Sequence, residues 1–194
     1  AGAGAGLQGN RSGTFWPFWR LMQGLIEENR APKVIVLENV CGTLTSHGGK
    51  DFAAICSTFA AANYYFGAMI VDAVRFVPQS RPRLFVIGVR DELALTGPTL
   101  TALNATALWH PRALLNAYEK LSLTLRERWL WWNPAEPPPR VGSFADLIED
   151  DPVGVRWHTD GETTKLLNMM SDINREKVEE AKSLGRRMVG AVYK

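Results

Sequence analysis

Apolar side chains recur at helical spacing in Phe15, Phe18, Trp19, Met22, Leu25 and Ile26, which predicts an amphipathic helix ending near Asn29, ahead of Pro32. The next apolar stretch differs in kind. Val34 to Leu37 is short, continuous and largely β-branched, the pattern of a strand covered on both faces. Phe52, Ile55, Cys56 and Phe59 return to helical spacing, Tyr64 to Val74 alternates loosely as a strand, and Arg83 to Val89 reads as another. A proline-bounded turn joins the last two. The order helix, strand, helix, strand, strand predicts an α/β fold: the second half of a doubly wound sheet ending in an antiparallel hairpin. Residues 1–13 are mostly Gly and Ala with no strand or helix period and are expected to form a flexible loop.

Gly97-Pro98 ends the regular pattern. Beyond it tryptophans cluster (Trp109, Trp129, Trp131, Trp132), Pro134 and Pro137-Pro138-Pro139 interrupt the chain, and short helices are expected over Ser143 to Ile148, Glu162 to Met170 and Asn174 to Leu184, the last capped by Asp172 or Asn174. The boundary therefore falls near residue 97, with a less regular, mainly helical region after it.

A length of 194 residues with 46% hydrophobic side chains is enough for a real core. The net charge of +2, from 22 basic and 20 acidic residues, does not announce a nucleic-acid binder. The close of the chain is more telling, because from Lys182 onward it carries bases and no acid. Two cysteines, Cys41 and Cys56, without a signal-peptide pattern argue for a reducing, cytoplasmic compartment. No apolar run approaches the roughly 20 residues that span a bilayer.

Two short polar signatures stand at strand ends, where open α/β sheets build their sites. Glu38-Asn39-Val40 directly follows Val34 to Leu37, and Gln79-Ser80-Arg81-Pro82-Arg83 directly precedes Leu84-Phe85-Val86-Ile87-Gly88. Taken alone, Glu38 caps the next turn or pairs with a cation, or else is a reactive acid held at the sheet edge. Arg81 and Arg83 either pair with sheet-edge carboxylates such as Asp72 or offer guanidinium forks to a carbonyl oxygen and a phosphate.

In this order and spacing the two signatures resemble the base-handling motifs of DNA cytosine-5 methyltransferases, over residues 7–90. The resemblance implies a Rossmann-like, S-adenosylmethionine-dependent sheet and methyl transfer to C5 of a cytosine flipped out of double-stranded DNA, as in restriction-modification. It implies residues 1–97 as part of the catalytic domain, and 98–194 as linker and the start of a target-recognition region. Glu38 would hydrogen-bond and protonate the cytosine ring nitrogen, Arg83 would hold the base oxygen, and Arg81 would orient Glu38 or the backbone. Asn39, Gln79 and Arg11 would face DNA. Gly9 to Phe15 is similar to the end of the family's mobile catalytic loop, so that backbone amides near Gly13 and Phe15 would approach the methionine end of the cofactor. The site would belong to a cytoplasmic, bacterial-type enzyme held at the nucleoid by its DNA.

One departure is local: Phe76 precedes Val77-Pro78 where the family often has Gly. The other is central, because no Pro-Cys nucleophile motif and no cofactor-binding first strand occur in these 194 residues. The expectation is a segment of a longer enzyme, or one subunit of a split enzyme whose partner carries the missing motifs, inactive by itself. A non-catalytic DNA-binding remnant is the reading of a different class. Gly42 to Lys50 fails as a phosphate loop, since His47 replaces the second Gly and Asp51 the Ser or Thr. Cys41 and Cys56 are expected to be small buried hydrophobes, the three histidines lack metal-ligand spacing, and the tryptophans are assigned to packing between domains rather than base stacking.

Overall fold

The computed structural model describes residues 14–91, 100–185 and 188. Helix α1 (Phe15–Glu27) leads into β1 (Val34–Val40), two 3-10 turns and α2 (Lys50–Ala61). Strand β2 (Tyr64–Asp72), a 3-10 turn over Ala73–Arg75, and β3 (Pro82–Arg90) follow. The order expected from periodicity is therefore present. Strand β2 stops at Asp72 rather than Val74, where the chain turns into the loop that carries the arginines.

The sheet order is β1-β3-β2, and β3 runs antiparallel to both neighbours. The expected hairpin of β2 and β3 is present. The parallel neighbours of a doubly wound sheet do not occur among the described strands: the α2 crossover makes β1 and β2 point the same way, and β3 occupies the slot between them. The two helices cover one face, and Leu130 with Trp132 lies against Gly67 on part of the other. Ile35, Leu84, Val86, Phe66 and Ala68 are buried with Phe52, Ile55 and Phe59 of α2 and Phe15 and Trp19 of α1. Trp19 meets Phe59 edge-on at 5.2 Å.

Strand β1 corrects the expectation of cover on both faces. Its burial alternates, leaving Val34, Val36 and Val40 exposed together with Glu38. The strand also continues to Val40, paired with Arg83, so Glu38 and Asn39 lie inside it rather than beyond its end.

Residues 100–139 belong to the same compact unit as the sheet, which carries it past the expected boundary near residue 97 to Pro139. The reason is hydrogen bonding along the outer edge of β2: Phe66 N donates to Arg128 O at 3.0 Å, Leu130 N to Phe66 O at 2.7 Å, and Ile70 N to Trp109 O at 2.8 Å. Gly67 permits this approach, since a Cβ there would stand 1.8 Å from the Leu130 carbonyl oxygen. Short strands β4 (Thr101–Ala102) and β5 (Trp131–Trp132) pair antiparallel, with α3 (Arg112–Glu119) and α4 (Leu123–Arg126) between them. Trp109, Trp129 and Trp132 are buried inside this one unit, so they pack within it rather than between domains.

Residues 140–194 form a second unit. Its helices are α5 (Asp160–Asn168) and α6 (Asp172–Ser183), neither with a buried residue. Helix α5 begins on a capping box between Thr159 and Glu162. Ser171, not Asp172 or Asn174, precedes α6 as its cap position, and Ser143 to Ile148 contains only a 3-10 turn over Ala145–Leu147. No helix among the described residues is long and apolar enough to cross a membrane.

Candidate active site

Antiparallel pairing brings the two signatures together. Val40 lies opposite Arg83 and Glu38 opposite Phe85, so Glu38 and Arg83 are diagonal neighbours on the open face of the sheet. Arg83 and Glu38 form an ion pair, with Nε 3.2 Å from Oε1, the Glu38 side chain 57% exposed and that of Arg83 20%. Arg83 Nη1 donates to the Pro82 carbonyl at 2.9 Å. The guanidinium is thereby engaged through Nε and Nη1, and Nη2 makes no hydrogen bond among the described residues.

Arg83 rather than Arg81 faces Glu38. The Arg81 side chain is exposed and makes no hydrogen bond or ion pair among the described residues, while its backbone amide donates to Asp72 Oδ1 at 2.7 Å. Gln79 is exposed on the same loop. Asn39 points to the opposite face from Glu38, and its Oδ1 accepts from the Val40 amide at 2.8 Å. Arg11 and Gly13 lie outside the described residues. Phe15 is 9% exposed, with its ring stacked on Trp19 at 6.0 Å and edge-on to Trp16 at 4.9 Å. Its side chain is committed to the core, which leaves its backbone amide as the group that the resemblance concerns.

Asp72 was legible only as a possible partner for the arginine charges. Its carboxylate instead collects hydrogen bonds from the Val74 and Arg81 amides and the Ser80 hydroxyl. These donors, the Val74 amide foremost, hold the carboxyl below the usual carboxylate range. Sequence reasoning undervalued it because a carboxylate near two arginines suggests an ion pair before it suggests a backbone clasp.

Cys56 is fully buried, as expected, and burial drives its thiol far upward. Cys41 departs from that expectation by being half-buried; burial raises its thiol as well, with the Arg83 charge pulling the other way. An open groove of about 700 Å³ lies between α1 and α2, lined by Trp16, Arg20, Gln23 and Ser57 among others. It is on the helix-covered side of the sheet, away from Glu38 and Arg83, and geometry gives the open face the better claim to chemistry. No group of three or more His, Cys, Asp or Glu side chains among the described residues could hold a metal ion.

An acid and a guanidinium thus stand side by side near the end of an antiparallel strand pair, offering a carboxyl and a planar donor on one face. The chain belongs to the C-5 cytosine-specific DNA methylase family, whose model matches residues 1–194. It is 30% identical over 168 residues to the type II methyltransferase M.NgoFVII of Neisseria gonorrhoeae, covering 78% of this chain and 42% of that protein. Type II methyltransferase M.BspRI of Lysinibacillus sphaericus is 40% identical over 63 residues, 32% of this chain and 15% of that protein. The orphan methyltransferase M.SPBetaI of Bacillus phage SPbeta is 34% identical over 70 residues, 36% and 16% respectively. The chain thus spans less than half the length of these relatives.

Proposed function

We propose that this chain supplies the base-holding half of a DNA (cytosine-5-)-methyltransferase, acting on a cytosine flipped out of double-stranded DNA, with S-adenosylmethionine as the methyl donor. Its sheet is then the second half of a Rossmann-like sheet, and residues 98–194 carry the linker and the entry to target recognition. The observation that carries the reading is the 3.2 Å approach of Arg83 Nε to Glu38 Oε1, which joins two signatures distant in sequence into one site.

The chemistry follows from the two side chains. C5 of cytosine is a poor nucleophile until a thiolate adds to C6 and pushes an electron pair toward N3. Glu38, as the carboxylic acid, delivers a proton to N3 and prevents charge from building on the ring. The free Nη2 of Arg83 is the donor available to the neighbouring base oxygen, and its Nε contact keeps the two groups in register. Neither target atom can be reached inside a stacked duplex, so the base must be extruded to meet them. Arg81 and Gln79, exposed on the adjoining loop, face the strand from which it leaves. The thiolate comes from a Pro-Cys motif outside this sequence, on a segment of the same polypeptide or on a complementary subunit.

The test is Glu38→Gln in an enzyme reconstituted from this chain and the segment bearing the Pro-Cys motif. Loss of the acid is expected to lower kcat about 100-fold or more, while duplex affinity changes little. Unchanged turnover would leave a DNA-binding role and remove the catalytic one.

A further inference from the structure

We infer that Asp72 is a positioning residue for the Arg83–Glu38 pair, acting through the backbone of the loop between β2 and β3. The inference rests on the base-holding role proposed for that pair.

The hairpin has a defect at its mouth. Asp72 lies opposite Pro82 in a pair that exchanges no backbone bonds, so the last hydrogen-bonded pair before the loop is Ala73 with Arg81, and the Arg81 amide is drawn away from it to the Asp72 carboxylate. Backbone closure at that pair is weak, consisting of Ala73 N to Arg81 O at 3.4 Å. The Asp72 carboxylate repairs the defect from the side. Oδ1 accepts from the Val74 amide at 3.1 Å and the Arg81 amide at 2.7 Å, and Oδ2 accepts from Ser80 Oγ at 2.8 Å. One carboxylate therefore fastens the first residues of the loop to its last two, and its charge makes these bonds stronger than neutral ones.

What it fastens leads to the site without a break. Arg81 is followed by Pro82, whose ring fixes φ, and the Pro82 carbonyl accepts from Arg83 Nη1 at 2.9 Å. That bond sets the plane of the guanidinium, and Nε of the same plane reaches Glu38. Loss of the Asp72 clasp frees the Arg81 amide, lets the Pro82 carbonyl swing, and turns Arg83 away from the acid. Phe76 and Val77 are exposed at the loop's apex, and the brace from Arg75 to Glu136 and Trp109 holds the loop's β2 side rather than the Arg81 side.

The experiment compares Asp72→Ala, Asp72→Asn and Ser80→Ala in the reconstituted enzyme, beside Glu38→Gln. Asp72→Ala is expected to lower kcat about 10- to 100-fold, the scale of a small misplacement of reacting groups, with KM for S-adenosylmethionine unchanged. Asp72→Asn keeps an oxygen for the two amides and is expected to restore most of that loss; Ser80→Ala, which removes one contact and leaves the hairpin intact, gives a smaller loss of the same kind. In the 194-residue chain, the Arg83 Nε–H resonance is expected to move toward that of a free arginine in Asp72→Ala and to return in Asp72→Asn. If Glu38→Gln abolishes turnover while Asp72→Ala and Ser80→Ala leave both kcat and the Arg83 resonance in place, the positioning role is overturned and the catalytic reading stands. If Glu38→Gln itself leaves turnover intact, the reading beneath it has failed instead.

Discussion

His110 illustrates how much a single buried residue reveals beyond the site. It is 2% exposed, its Nδ1 accepts from the Thr106 amide at 2.8 Å, and its Nε2 is buried without a partner. Burial disfavours the imidazolium and lowers its pKa. The unfolded chain takes up that proton near pH 6.5, whereas the folded chain resists it until the pH is lower. The stabilisation is therefore complete above about pH 6.5 and is lost as pH falls through the folded value. Thermal unfolding at pH 7 and pH 5.5 should give a lower Tm at pH 5.5, and His110→Asn, which keeps an acceptor for Thr106, should reduce that difference. An equal pH dependence in the variant would assign it to other groups. None of this was legible in the sequence, where His110 was one of three histidines without metal spacing. Glu38 and Arg83 were legible as candidates, because each belongs to a short polar signature beside an apolar run, a pattern local in sequence. The diagonal contact between them was not, since it depends on which slot β3 takes.

Elements were read best where burial dictates a period. The apolar stripes of α1 and α2 and the hairpin of β2 and β3 follow from positions such as Trp19, Phe59, Leu84 and Val86, all of which the core requires. Strand β1 was misread because a short β-branched run looks the same whether one face or both are covered; only Val36 and Val40, exposed in the fold, decide it. The attachment of residues 128–130 to β2 was equally hidden, though Gly67 in mid-strand was its trace. Gly67→Ala would drive a methyl group against the Leu130 backbone carbonyl. It is expected to cost about 3 kcal/mol, the upper end of overpacking in a core. Gly24→Ala in α1, with nothing within 4 Å of the new methyl, is expected to stabilise by about 0.5–1 kcal/mol. Urea unfolding of both variants checks the contrast, and equal shifts would deny the close approach at Gly67.

At the scale of the molecule, the sequence's proline runs and change of texture suggested a boundary near residue 97, yet the compact unit closes at Pro139. Texture reports regularity, whereas the unit is set by hydrogen bonds such as Leu130 to Phe66 that no local pattern announces. Thiol chemistry gives a prediction for the whole chain. Burial raises both Cys41 and Cys56 above the ordinary thiol value, so neither provides a ready thiolate at neutral pH. Incubated alone with labelled S-adenosylmethionine and cytosine-containing duplex, the chain is expected to leave the DNA unlabelled. Transfer above background would refute this and make one of the two cysteines the nucleophile.

The two borders of the three-stranded sheet are unequal: β2 is sealed by residues 109 and 128–130, while β1 has no strand beyond it among the described residues. Self-association through the β1 border would therefore be a terminating event. Two copies joined border to border would expose only sealed flanks, and the product would be a twofold-symmetric dimer rather than a growing fibril.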